Sequence, residues 1–115
     1  MREFESPAFN GNGVHKGTIV HGKPQKESLI KDPILVLPNG GVQYYETIAF
    51  TARIAQQKGW DVSVILERGG PTCHIVTSMR EKGIIVMHLP KALELLKEGK
   101  FAIVDASNGI ISIKD

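Results

Sequence analysis

Two short β-branched runs, 61–66 (Asp-Val-Ser-Val-Ile-Leu) and 84–87 (Ile-Ile-Val-Met), constrain this chain most, because one turn and one short amphipathic segment separate them. After the first run come Glu67-Arg68-Gly69-Gly70-Pro71-Thr72. Cys73 to Lys82 then places Ile75, Val76 and Met79 on one helical face. Thr72 is the predicted N-cap and Gly83 the predicted stop. A strand, a helix and a strand this close together predict a crossover unit with parallel strands. In such units the functional loop lies beyond the carboxyl end of the first strand. Here that loop is Glu67-Arg68-Gly69-Gly70, directly ahead of His74.

The rest of the chain extends the pattern. Tyr44 to Lys58 is the clearest helix, with Tyr45, Ile48, Ala49, Ala52 and Ala55 as its expected buried stripe and Gly59 as its stop. Pro33 to Leu37 is an apolar run of strand length, closed by Pro38-Asn39-Gly40-Gly41. Gly17–Val20, Phe101–Val104 and Ile110–Ile113 are further expected strands, and Lys91 to Glu98 a further helix, stopped by Gly99. Asp105-Ala106-Ser107-Asn108-Gly109 has hairpin-turn chemistry, with Asp105 as its cap. Residues 21–32 read mainly as loop, with 27–30 left open. Residues 1–13, polar and rich in glycine, read as a flexible N-terminal arm ahead of a domain over 14–115. The alternation predicts a mixed α/β domain with some parallel pairing.

Composition excludes several classes. A net charge of +2 without a basic run argues against a nucleic-acid surface. No apolar run approaches the about 20 residues that span a bilayer, so no membrane partner is expected. Residues 1–9 lack the apolar core of a signal peptide. Cys73 is the only cysteine, which rules out an intrachain disulfide and suits a reducing compartment. The expectation is a cytoplasmic protein.

The chemistry concentrates around His74. Backbone N–H groups at a helix start are unpaired and sit at the positive end of the helix dipole, so an anion is welcome there. Gly69 and Gly70 let another molecule approach closely, and Pro71 stiffens the turn. Thr72 offers a hydroxyl for a cap, the imidazole or a phosphate. A neutral imidazole nitrogen facing outward is a nucleophile for a phosphoryl group; a structural histidine is the blander reading. Cys73 reads either as a thiol activated by the helix start or as a small turn residue. Arg68 reads either as a phosphate partner or as a solvated charge. Arg80 and Glu81 read as a solvated face or an ion pair, and Tyr44, Tyr45 and Ile48 as core or domain surface. The spacing of His15, His21, His74 and His88 matches no zinc pattern, so no metal site is expected.

The run Gly69-Gly70-Pro71-Thr72-Cys73-His74, followed by Arg80-Glu81 and Gly83-Ile84, resembles the phosphohistidine motif of phosphoenolpyruvate-utilising enzymes. That family includes phosphoenolpyruvate synthase, pyruvate phosphate dikinase and Enzyme I of the sugar phosphotransferase system. Pro33–Pro38 and the stretch from Val104 to Ile113 are similar to other strands of its mobile domain. The resemblance implies the swivelling β/β/α phosphohistidine domain, a mixed sheet with about three helices. It also implies that His74 accepts and donates a phosphoryl group, with Thr72 beside it and Gly69, Gly70, Cys73 and Arg68 shaping the phosphate loop. Ile85 stands where the family carries a proline. At 115 residues the chain has no room for a nucleotide-binding domain or a phosphoenolpyruvate-binding barrel. The resemblance therefore implies a stand-alone phosphotransfer subunit. Its nucleotide-binding or phosphoenolpyruvate-binding partner would act in trans, with Mg²⁺ in the partner's active site and no cofactor on this chain. A non-catalytic regulatory or interaction module is the other reading.

Overall fold

The computed structural model describes residues 2–21, 30–70 and 73–114. Pro71 and Thr72, and with them the predicted N-cap, lie outside the described residues, as does the loop 22–29. Among the described residues the chain forms one eight-stranded sheet and three α-helices. The strands are β1 (Arg2–Glu5), β2 (Ala8–Asn10), β3 (Val14–His21), β4 (Pro33–Leu37), β5 (Ser63–Leu66), β6 (Ile85–His88), β7 (Phe101–Asp105) and β8 (Ile110–Ile113). The helices are α1 (Tyr45–Lys58), α2 (His74–Lys82) and the single turn α3 (Ala92–Leu95). The sheet order is β1-β8-β7-β3-β4-β5-β6-β2.

β3, β4, β5 and β6 run parallel, and the remaining pairs are antiparallel. β4 and β5 are buried at every residue. Such strands carry continuous apolar runs because both faces are covered. Leu35, Leu37, Val64 and Leu66 face one cluster with Ile48 of α1 and Ile75, Val76 and Met79 of α2. Ile34, Val36 and Ile65 face the second, with Ala92 and Leu96 around α3 and with Val104 and Ile111 from the antiparallel strands. Both crossovers step the same way across the sheet, from β4 to β5 to β6, and α1 and α2 cover the same face.

The expected swivelling β/β/α domain is corrected by this architecture. The residues expected as an N-terminal arm instead supply the two outermost strands. β1 pairs with β8 and β2 pairs with β6, at opposite ends of the strand order. Only Ser6 and Pro7 lie between β1 and β2. Such a link reaches about 10 Å at most, so the sheet curls until its two edges meet. Fully buried Ser6 is the seam: its N–H donates to the Gly109 carbonyl (2.7 Å) and its hydroxyl to the His88 carbonyl (2.7 Å). Pro7 accepts from the His88 N–H (3.1 Å), and Phe9 stacks on the His88 ring at 5.1 Å.

α1 carries a second correction. Its buried residues are Thr47, Ile48, Thr51, Ile54 and Ala55. Ala49 and Ala52, expected in the core, are half-buried and turned toward a cleft. The expected helix over 91–98 shortens to α3, with Lys91 in the left-handed region (φ 63) at its start.

Candidate functional site

Leu37 and Leu66 are paired in register at the carboxyl ends of β4 and β5. The Glu67 N–H donates to the Leu37 carbonyl (2.9 Å), which holds the two outgoing loops side by side. Each loop follows the same plan: leucine, two polar or turn residues, then Gly-Gly, so that Gly40 and Gly69 stand at equal distances from their strand ends. From the sequence Pro38–Gly41 reads as a turn only. The repeated spacing was the available signal that it is the second wall of the site.

The walls touch through α2. A Cβ on Gly40 would lie 2.5 Å from the Cys73 sulfur and 3.2 Å from Leu66 Cδ1. Gly69 adopts φ +144, a backbone open to glycine alone, and a Cβ there would lie 3.6 Å from the same sulfur. Across the gap Asn39 Oδ1 accepts from the Gly41 N–H (2.9 Å). The Gly70 carbonyl accepts from the Cys73 N–H (3.1 Å) and completes the turn into the helix. The half-buried Cys73 thus packs between the loops.

His74 opens α2 and is exposed. Cys73, at the N-cap, makes no side-chain cap bond. Backbone N–H groups of the first helical turn are therefore left without a side-chain cap beside the exposed imidazole. The ring is oriented by Tyr45 at the start of α1, edge to face, with centroids 5.9 Å apart and planes at 62°. Among the described residues neither ring nitrogen of His74 has a hydrogen-bond partner, which leaves both able to meet a substrate. Arg68 is exposed on the β5 loop, and no contact among the described residues brings it to the imidazole. The structure thus brings together Gly69, Cys73 and His74, and adds Asn39, Gly40 and Tyr45.

The other histidines serve structural roles. His21 bonds the Leu96 carbonyl, and His88 belongs to the seam. His15 is only 4% exposed, with Nδ1 2.7 Å from the hydroxyl of fully buried Ser63. Among the described residues its Nε2 has no hydrogen-bond partner, although the nearby Asp32 backbone favours the protonated ring. Burial pushes the imidazole below its ordinary value, against the opposing pull of Asp61 and Asp32. A depressed histidine contributes stability that is full above the unfolded value of about 6.5 and is lost as pH falls from there through the folded value. Urea midpoints should therefore drop below pH 6.5, by up to about 1.4 kcal/mol per pH unit for one proton. His15→Gln should flatten that slope. A slope unchanged by the substitution would assign the acid sensitivity elsewhere. Among the described residues no group of three His, Cys, Asp or Glu could hold a metal ion. No helix among them is long and apolar enough to cross a membrane.

The family of PEP-utilising enzymes, mobile domain, matches residues 50–109, just over half of the chain. This chain belongs to that family. The match takes in β5, the Gly69-Gly70 loop, His74 and α2, and extends to the turn before β8. The family thereby points to a phosphohistidine carrier role at coarse resolution. No curated protein matches the sequence. Solved structures locate the whole fold elsewhere. Aconitase X of Thermococcus kodakaraensis, in its holo-form, is similar over 100% of both chains, with a TM-score of 0.66 at 16% identity. A UPF0107 protein solved by NMR is similar over 99% of this chain and 100% of its own, with a TM-score of 0.65 at 16% identity. The curled eight-stranded architecture is therefore similar in fold to aconitase X and the UPF0107 protein, and this likeness replaces the swivelling β/β/α expectation.

Proposed function

We propose that this chain is a phosphoryl carrier on His74, working with a partner of a phosphoenolpyruvate-utilising system. The observation that carries the reading is the exposed imidazole at the start of α2, directly after Cys73, whose side chain packs between two Gly-Gly loops at the carboxyl edge of parallel strands. A ring nitrogen uses its lone pair to attack phosphorus. The P–N bond forms as the donor's P–O bond breaks, and the donor oxygen leaves with the electron pair. First-turn N–H groups and the glycine loops stabilise the charge on the transferring oxygens. Thr72, two residues ahead in the sequence, is the proposed hydroxyl partner, and Arg68 the proposed cation. Reversal of the same step onto an acceptor completes the transfer. A nucleotide-binding or phosphoenolpyruvate-binding partner supplies donor and acceptor in the cytoplasm, and Mg²⁺ belongs to that partner's site.

The test is phosphorylation by a partner kinase with labelled phosphoenolpyruvate or ATP. Wild type should carry acid-labile, base-stable label, and His74→Ala should carry none. Equal label on both proteins sinks the proposal.

A non-catalytic interaction module is the second reading. What favours it is Ile85 standing where the family's motif carries a proline, together with an Arg68 that makes no contact with the imidazole among the described residues. Partner binding indifferent to His74→Ala, with no phosphohistidine in cells, would select it.

A further inference from the structure

The opposite edge of the molecule holds a cleft of about 530 Å³ between the carboxyl-terminal half of α1 and the end of α2. It opens at the amino ends of β5 and β6, away from His74. Its apolar wall is Ala52, Trp60, Val62 and Ile84, and its charged groups are Arg53 and Lys82. Ligand clefts of this size are typically apolar with a few convergent polar groups. Among the described residues no carboxylate lines it, and neither Arg53 nor Lys82 has an acidic partner. A third cation, Lys58, lies over the Trp60 ring at 5.3 Å.

Helix chemistry accounts for part of this charge. Lys58 and Lys82 sit in the last turns of α1 and α2, where a cation complements the dipole. Each helix end contributes only about half a negative charge, against a full positive charge from each of the two lining cations, with Lys58 outside the lining on the Trp60 ring. Arg53, more than a turn before the end of α1, has no such role. The cleft is thus electropositive over an apolar floor.

We infer that it binds a small organic anion: an apolar, preferably planar body over Ala52, Trp60 and Ile84, with a phosphate or carboxylate held by Arg53 and Lys82. Small alanine side chains on α1 leave room for the body, and the indole supplies a flat surface beside it. The inference is independent of the role of His74.

Trp60 is the only tryptophan, so its indole N–H gives one unmistakable NMR resonance. Titration of ¹⁵N-labelled protein with phenyl phosphate should shift that resonance and the Ala52 and Ile84 amides saturably. Phenol and inorganic phosphate, each lacking half of the recognition, should bind at least about tenfold more weakly. Arg53→Gln and Lys82→Gln should each weaken phenyl phosphate about fivefold. Ala52→Phe, which fills the cleft, should abolish the shifts, while His74→Ala leaves them intact. Equal binding of phenol, or shifts confined to the Gly40–His74 edge, would overturn the inference. So would concentration-dependent shifts of the same resonances without ligand, which would assign the cleft to a second copy of the chain.

Discussion

Gly17→Ala is expected to destabilise the protein by about 3 kcal/mol or more, beyond the usual range for an overpacked core site. A Cβ at Gly17 would lie 1.8 Å from the Asp32 carbonyl oxygen and 3.0 Å from its carbon. That neighbour is backbone, fixed by the Thr18 N–H donating to the same oxygen (3.3 Å) and by the β3–β4 register that starts at Thr18 and Pro33. No rotamer change relieves the collision. β3 or the turn into β4 must move, and β3 is the strand that joins the parallel half of the sheet to the antiparallel half. A loss near 3 kcal/mol is a large share of the about 5–15 kcal/mol that holds a domain folded. Gly70→Ala is the control, because among the described residues nothing lies within 4 Å of its Cβ position; its stability should change by no more than about 0.5 kcal/mol. Urea unfolding of the three proteins measures both. A Gly17→Ala midpoint equal to wild type would mean that β3 and Asp32 do not approach as described.

Gly17 also shows where sequence reading stops. Its place within a strand was legible, but the reason for a glycine there lies in a carbonyl that only the β3–β4 pairing brings close. What sequence conveys well is local. The period of α1, its glycine stop (Gly59, φ 70) and the apolar runs of β4 and β5 each follow from residues within one element. So does the turn after β7, where Asp105 accepts from the Asn108 N–H (3.1 Å) and from its amide (2.8 Å). β1 and β2 were not legible because edge strands bury little. Arg2, Glu3 and Glu5 are exposed, and the partner of Arg2 is Ile113 at the far end of the chain. Missing those strands hid the closure of the sheet at Ser6 and with it the correct fold. On α1 the polar Thr47 and Thr51 are buried while two alanines are not. Thr51 meets its hydrogen-bond need within the helix by donating to the Thr47 carbonyl (2.8 Å), so a threonine suits the core there. At the site, the motif marked Gly69 through His74, but the second wall at Asn39–Gly41 depends on the Leu37–Leu66 register.

The second large effect should appear at the contact between the two walls. Gly40→Ala is expected to cost about 1–3 kcal/mol, the range for an extra methyl in a filled space. Its Cβ would meet the Cys73 sulfur at 2.5 Å but the Cys73 Cβ only at an ordinary 3.5 Å. The penalty therefore belongs to one atom, and Cys73→Ala removes that atom. In the double variant the cost of Gly40→Ala should shrink to the small adjustment demanded by Leu66 Cδ1 at 3.2 Å. The cycle should be non-additive by at least about 1 kcal/mol, as befits residues in contact. The same cycle reads the site. Cys73 precedes His74, so a thiol pushed aside by Gly40→Ala displaces the first turn of α2 and the imidazole it carries. Acid-labile label from the partner reaction should fall at least about tenfold in Gly40→Ala, because misplacing a reacting group by about 1 Å can cost a hundredfold. Transfer should recover in Gly40→Ala/Cys73→Ala. Recovered stability without recovered transfer would show that the thiol itself takes part in the chemistry. Additive costs would show that the two glycine loops do not meet at Cys73.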